Sequence, residues 1–258
     1  MHCITDVAAT VSSLLGFASP NGGEPMAEVT SLFKDGRADR VLMYNPDAVA
    51  WWVFTKYRDK FAKCLARDPL VMEMRSVMPS VTPVCFASMY SGLTPDGHGI
   101  KCYTKPVLAC QTLFDAAIAA GIRPAIVSET GASVSMIFRE REMDYYIYDS
   151  VGEVTQKALE LIRGDTHRLV VAYHGDYDHF MHRNGPEGDE ALAALDANAE
   201  AYCALCDAAA ESWGGKGLSW AAAFATDHGC HLIDGGCGSH GLDMPEDMEV
   251  AHLWTAGK

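Results

Sequence analysis

The chain has 258 residues, 49% of them hydrophobic, and 34 acidic residues against 20 basic ones give a formal charge of -14. That length and apolar content suffice for one large domain with a full core, while the acidic balance excludes a nucleic-acid polymer or an anionic membrane as the general partner. Nine cysteines without regular spacing point to a reduced, cytoplasmic protein and not to a disulfide framework.

In chain order, the opening "MHCITDVAATVSSLLGFASP" has no basic segment ahead of its short apolar run, so it reads as neither a signal peptide nor a membrane span. Residues 1–38 are expected to form a helical extension before the first strand. Continuous short apolar runs at 40–45, 123–128, 145–149, 168–174 and 219–225 have the pattern of strands buried on both faces. Helical stretches fall between them at 111–121, 152–164 and 189–213. In the last of these Leu192, Leu195, Tyr202 and Leu205 recur at helical spacing, which predicts one face packed on a sheet. Gly121 and Gly164 stand where helices should stop. The alternation predicts an α/β fold in one domain over 1–258, with a mainly parallel central sheet sandwiched by helices. Such sheets carry their sites at the carboxyl ends of strands.

One stretch, "PSVTPVCFASMYSGLTPDGHGI" (79–100), sets Thr82 between Pro79 and Pro83, ahead of an apolar helical run ending at Gly92. Thr82 there is either a nucleophile in an anion-facing loop or a helix cap. Polar residues follow the strands as the fold class requires. Asp47 follows 40–45, "GDYDHFMHRNGP" follows 168–174, "TDHGCH" follows 219–225, and "GSHGLDMPED" brings His240. Asp178 and His182 lie four residues apart, so one helical turn points both at the same spot. Three carboxylates and three imidazoles at one sheet edge could hold two divalent cations, and a mixed nitrogen and oxygen donor set suits zinc best, with manganese or iron as alternatives.

Thr82 followed by Gly92 and "HGI", the "DHFMHRNGP" loop, "TDHG" and the late "SHG" together resemble the alkaline phosphatase superfamily. Within it they are most similar to the nucleotide pyrophosphatase/phosphodiesterase branch, in order from about residue 40 to about residue 242. The resemblance implies that Asp178, His182 and His240 bind one metal, that Asp47, Asp227 and His228 bind the other, and that Thr82 is the nucleophile beside the second. It implies hydrolysis of a phosphodiester or pyrophosphate bond through a phospho-threonine intermediate, because coordination to a dication favours the alkoxide of a hydroxyl that is scarcely ionised on its own. Three aspartates against two dications leave the site about one charge positive, so it attracts a phosphate that the whole chain repels.

Departures from the branch are specific. Cys85 stands where an asparagine commonly holds a phosphoryl oxygen, and Ala48 stands where glycine usually follows the first metal aspartate. The chain is also shorter than typical members. A minimal site would accept a small phosphorylated substrate or need a partner subunit, including a second copy of the chain, to complete its pocket. A phosphomonoesterase or phosphonate hydrolase of the same superfamily, a metal-dependent phosphate mutase, and a catalytically inactive metal-binding homologue with an interaction role are the alternatives. The lone CxxC of Cys203 and Cys206, the tryptophans Trp51 and Trp52, and His98 read as packing or loop support, while His174, Asp176, His179 and His231 read as supporting or solvated residues.

Overall fold

The computed structural model describes residues 1–257. Its strands are β1 (His2–Cys3), β2 (Arg40–Pro46), β3 (Leu70–Arg75), β4 (Pro124–Glu129), β5 (Asp144–Tyr148), β6 (Leu169–His174), β7 (Trp220–Ala225), β8 (His231–Leu232), β9 (Gly238–Ser239) and β10 (Glu249–Gly257). The longer helices are α1 (Asp6–Leu15), α2 (Thr82–Ser91), α3 (Leu113–Ala119), α4 (Val151–Gly164), α5 (Asp176–Asn184) and α6 (Asp189–Ser212). Among the described residues no helix is long and apolar enough to cross a membrane.

Eight strands form one sheet in the order β1-β3-β10-β7-β2-β6-β4-β5, and β8 pairs with β9 in a separate ribbon. Only β10 runs antiparallel to its neighbours in the large sheet. The central strands are covered on both sides because their residues alternate between two cores. Val41 and Met43 of β2, with Leu169 and Val171 of β6, face one core. Leu42 and Tyr44, with Val170 and Ala172, face the other. Helices α1, α2 and α3 bury Val11, Phe86 and Phe114 in the first core, whereas α4 and α6 bury Ile162, Leu195 and Tyr202 in the second. Each fully buried aliphatic or aromatic side chain of this kind stabilises by about 1.5–3 kcal/mol. The first 38 residues carry α1 and also supply β1, which pairs with β3 at the sheet edge.

Local sequence accounts for the helix limits. Thr112 and Asp115 form a reciprocal capping box at the start of α3, and Ser150 accepts the Glu153 N–H at the start of α4. Gly92 and Gly121 take left-handed backbone after α2 and α3, with φ of 76° at both. After α4 the left-handed residue is Asp165, φ 51°, and Gly164 stays helical. An aspartate tolerates that conformation, and the Arg40 guanidinium holds its carboxylate at 2.6 Å.

Two substantial strands, β3 and β10, lie outside the five apolar runs that mark the others. In β3 only Met72 and Met74 are buried, so its sequence alternates and shows no continuous run. In β10 the buried His252 interrupts the apolar pattern, its Nε2 donating to the Thr226 carbonyl at 2.8 Å.

Candidate active site

Parallel strands β2, β6 and β7 are adjacent, so the residues just past their carboxyl ends share one edge. Asp47 follows β2 directly and is 1% exposed, while Asp227 and His228, one step past β7, are fully buried. Helix α5 starts after β6 and presents Asp178 and His182 on one face. The β8–β9 ribbon folds back over α5 and carries His240 from its far end.

These side chains converge on two overlapping groups. Ligand-capable atoms of Asp178, His182 and His240 lie within 4.8 Å of one another, and so do those of Asp47, Asp178 and His228. Asp178 belongs to both. Its Oδ1 is 3.3 Å from His182 Nε2 and 3.5 Å from His240 Nε2. His228 Nε2 is 3.3 Å from Asp47 Oδ1 and 3.4 Å from Asp227 Oδ2. The His228 and His240 rings stack with centroids 4.0 Å apart, which sets the two groups side by side.

The donor set fits metal cations on grounds of its own. In all three histidines Nδ1 donates to a backbone carbonyl: His182 to Gly238, His240 to Ser80 and His228 to Gly229, at 3.1, 2.9 and 3.0 Å. That bond fixes the tautomer and leaves the Nε2 lone pair aimed into the site. Asp47 Oδ1, Asp178 Oδ1 and Asp227 Oδ2 are buried without any hydrogen-bond partner. Buried orphan oxygens are costly, and Asp47 and Asp178 both belong to groups that could hold a metal ion. Burial, reinforced by the neighbouring charges of Asp227 and Asp178, pushes the Asp47 carboxyl well above the usual range. Burial likewise pushes Asp227 up. Burial pushes His240 down to about 3, so it stays neutral. Asp178 runs the other way: against its burial, the neighbouring His182, His228 and His240 hold it below the usual carboxylate range, and Asp178 in turn raises His182.

Ala48 explains one departure from the phosphodiesterase pattern. It adopts φ 64°, the left-handed backbone at which glycine is usual, and its N–H points to Asp227 Oδ1 at 3.4 Å. The Val49 N–H donates to Thr226 Oγ1 at 2.9 Å and holds this turn.

Thr82 is the first residue of α2, with Val81 at the capping position, and it forms no side-chain cap. Its Oγ1 instead lies 3.3 Å from His228 Nε2. The helix start offers an anion less than its position suggests: Pro83 has no N–H, and those of Val84 and Cys85 are both taken by the Val81 carbonyl. Cys85 is fully buried, its thiol 3.3 Å from Ser76 Oγ. It does not line the cavity beside Thr82.

That cavity, about 410 Å³, is lined by Thr82, Asp47 and Asp178 together with residues that sequence patterns left unmarked, among them Tyr103, Lys105, Glu129 and Tyr173. Tyr173 donates to Asp47 Oδ2 at 2.5 Å. Its hydroxyl is hidden in an apolar strand run and carries no pattern of its own. Glu129 ends β4 and accepts from the Gly175 N–H at 2.7 Å, and the strand-end rule does point to it. Asp176 and His179 also line the cavity. His98 braces the loop after α2 through Ser88, His231 pairs with the buried Asp247 at 2.7 Å, and His174 lies between Tyr44 and Thr155. Trp52 donates to the Cys230 carbonyl and Trp51 packs on Phe54, both away from the cavity.

The fold is that of the alkaline phosphatase superfamily, an eight-stranded mainly parallel sheet between helices. Human ectonucleotide pyrophosphatase/phosphodiesterase 5 superposes with a TM-score of 0.61 at 11% identity, over 84% of this chain and 87% of that one. Phosphonoacetate hydrolase from Sinorhizobium meliloti 1021, in complex with phosphonoformate, gives 0.55 at 15% identity over 75% of this chain and 57% of its own. An inactive form of the murine ectonucleotide enzyme in complex with AMP gives 0.57 at 15% identity over 76% and 59%. This chain therefore spans little more than half the length of two of these proteins. No family model matches the sequence, and no curated protein matches it.

Proposed function

We propose that the chain is a single metal-dependent catalytic domain that hydrolyses phosphodiester or pyrophosphate bonds of a small phosphorylated substrate through a Thr82 phospho-enzyme. The observation that carries this reading is the gathering of Thr82 Oγ1, three imidazole Nε2 atoms and the orphaned oxygens of Asp47 and Asp178 at the strand termini, with Asp227 Oδ2 3.4 Å from His228 Nε2. Asp178, His182 and His240 would hold one cation, and Asp47, Asp227 and His228 the other, with Asp178 between them. Zinc suits this nitrogen and oxygen set best, and manganese is the alternative. Bound dications would supply the charge that favours the Thr82 alkoxide and offsets charge developing on the phosphoryl oxygens.

The chain's own residues then do the following. Thr82 Oγ1 attacks phosphorus as the bond to the leaving oxygen breaks, and water later cleaves the phospho-threonine to restore the hydroxyl. Tyr173 holds Asp47 in place, and the backbone carbonyls of Gly238, Ser80 and Gly229 hold the three imidazoles. Nine free cysteines accord with a reduced, cytoplasmic setting. A phosphonate or monoester substrate is the second reading, favoured by the likeness to phosphonoacetate hydrolase and by the small cavity.

The test is hydrolysis of bis-p-nitrophenyl phosphate, p-nitrophenyl phosphate and a phosphonate monoester by chelator-stripped protein reloaded with zinc or manganese. Metal-dependent release with the diester fastest supports the first reading. Faster release from the monoester or the phosphonate moves the assignment to the second. Two metals bound with no release from any compound would overturn hydrolysis and favour an inactive binding homologue.

A further inference from the structure

The CxxC of α6 places Cys203 and Cys206 three residues apart, yet the structure pairs Cys203 with a different partner. Cys64, on the short helix Ala62–Leu65, brings its sulfur to 3.1 Å from that of Cys203, and both side chains are buried. A disulfide needs about 2.0 Å between sulfurs, so closing this pair takes a shift of about 1 Å, within the reach of a side-chain rotation. Cys206 is fully buried beside Tyr202 instead, and burial pushes its thiol up to about 12.

The surroundings of the pair are asymmetric. Cys203 lines an open surface cavity of about 570 Å³ whose wall includes Lys63, Arg67 and Asp207. Cys64 is not part of that wall. The Arg67 guanidinium pairs with Asp207 through one nitrogen, while its Nε is buried without a partner. A hydrogen bond from Cys64, followed by the Arg67 guanidinium, pushes the Cys203 thiol down to about 6, whereas the Cys64 thiol is pushed far up. The arrangement matches a low-pKa attacking thiolate with a resolving thiol directly behind it.

We infer that Cys64 and Cys203 are a reversible redox pair, oxidised by a small peroxide entering the surface cavity and closing into a disulfide that ties the Ala62–Leu65 helix to α6. The Cys203 thiolate attacks one peroxide oxygen: an S–O bond forms, the O–O bond breaks, and the departing oxygen leaves as water after protonation. Cys64 sulfur then attacks the sulfenic sulfur, forming S–S, breaking S–O and releasing a second water. Two thiols and one hydrogen peroxide thereby give one disulfide and two waters, and a dithiol reductant reverses the change.

The experiment treats the reduced full chain with stoichiometric hydrogen peroxide, blocks the remaining thiols with an alkylating agent, and maps the disulfide-linked peptides by mass spectrometry. The expected result is loss of two thiols, a Cys64–Cys203 linkage, and recovery of both thiols with dithiothreitol. In Cys64→Ser the Cys203 sulfenic acid should persist and react with dimedone. Arg67→Gln should slow closure roughly fivefold or more, because it removes the cation that favours the thiolate. Linkage of Cys203 to Cys206, oxidation of the exposed Cys102 with Cys64 and Cys203 still reduced, or an unchanged rate in Arg67→Gln would each overturn the inference.

Discussion

Replacing Tyr173 by phenylalanine removes one hydroxyl and little else. The ring packs edge-on against Phe86 with centroids 5.7 Å apart, a contact that phenylalanine keeps. What disappears is the 2.5 Å hydrogen bond to Asp47 Oδ2, on a carboxylate whose other oxygen already has no partner. That donor favours the ionised form of Asp47 against the burial and neighbouring charges that oppose it, so Tyr173→Phe makes the carboxylate harder to ionise and poorer as a ligand. A hydrogen bond to a charged group contributes about 1.5–3 kcal/mol, which is roughly ten- to hundredfold in an equilibrium constant. Outer contacts of metal ligands have effects of about that size on metal affinity. Zinc affinity measured by competition with a chromophoric chelator should fall by that factor, and diester cleavage should recover as zinc is raised. Unchanged affinity, or a rate loss that no amount of zinc restores, would refute the role given to Tyr173.

Asp178→Asn should release both cations where His182→Ala releases one, because Asp178 lies in both ligand groups; metal content by atomic emission distinguishes the two variants. Gly229→Ala should destabilise by about 1–3 kcal/mol and displace His228, since an added Cβ would sit 2.0 Å from the Glu246 carbonyl oxygen; thermal melts and metal content read both effects. Burial holds His174 neutral with its pKa pushed down from 6.5 to about 4. The unfolded chain therefore takes up a proton first on acidification, and the resulting loss of stability develops between pH 6.5 and about 4 and is absent above pH 7. Its full size is of order 3 kcal/mol, and His174→Gln should flatten the decline in urea midpoint across that window.

The fold was legible wherever strands are buried on both faces. Runs such as "RVLMYN" and "RLVVAYH" have no polar interruption, because helices cover both sides of them. Strand β3 escaped because one of its faces is partly open and its residues alternate, and β10 because His252 breaks its run. At the site, Asp47, Asp178, Asp227 and His228 announce themselves by lying just past strand ends, and Asp178 with His182 by helical spacing. Tyr173 could not be found that way, as a tyrosine in a buried strand looks like core until its hydroxyl is seen against Asp47. Nor could spacing reveal that Asp178 lies in both groups that could hold a metal ion, or that Cys203 faces Cys64 across more than a hundred residues and not its CxxC neighbour. Those facts depend on how separate elements meet in three dimensions. Cys85 shows the converse, since a position singled out by resemblance is a fully buried residue of α2 and is not on the cavity wall.

The most direct measurement of the central claim is to mix zinc-loaded protein with excess bis-p-nitrophenyl phosphate, quench in acid, and map the peptides by mass spectrometry. The account predicts one phosphoryl-bearing adduct on the peptide containing Thr82, absent from Thr82→Ala although that variant keeps its zinc. Turnover without any adduct, or Thr82→Ala cleaving the diester within a few-fold of the parent rate, would contradict it.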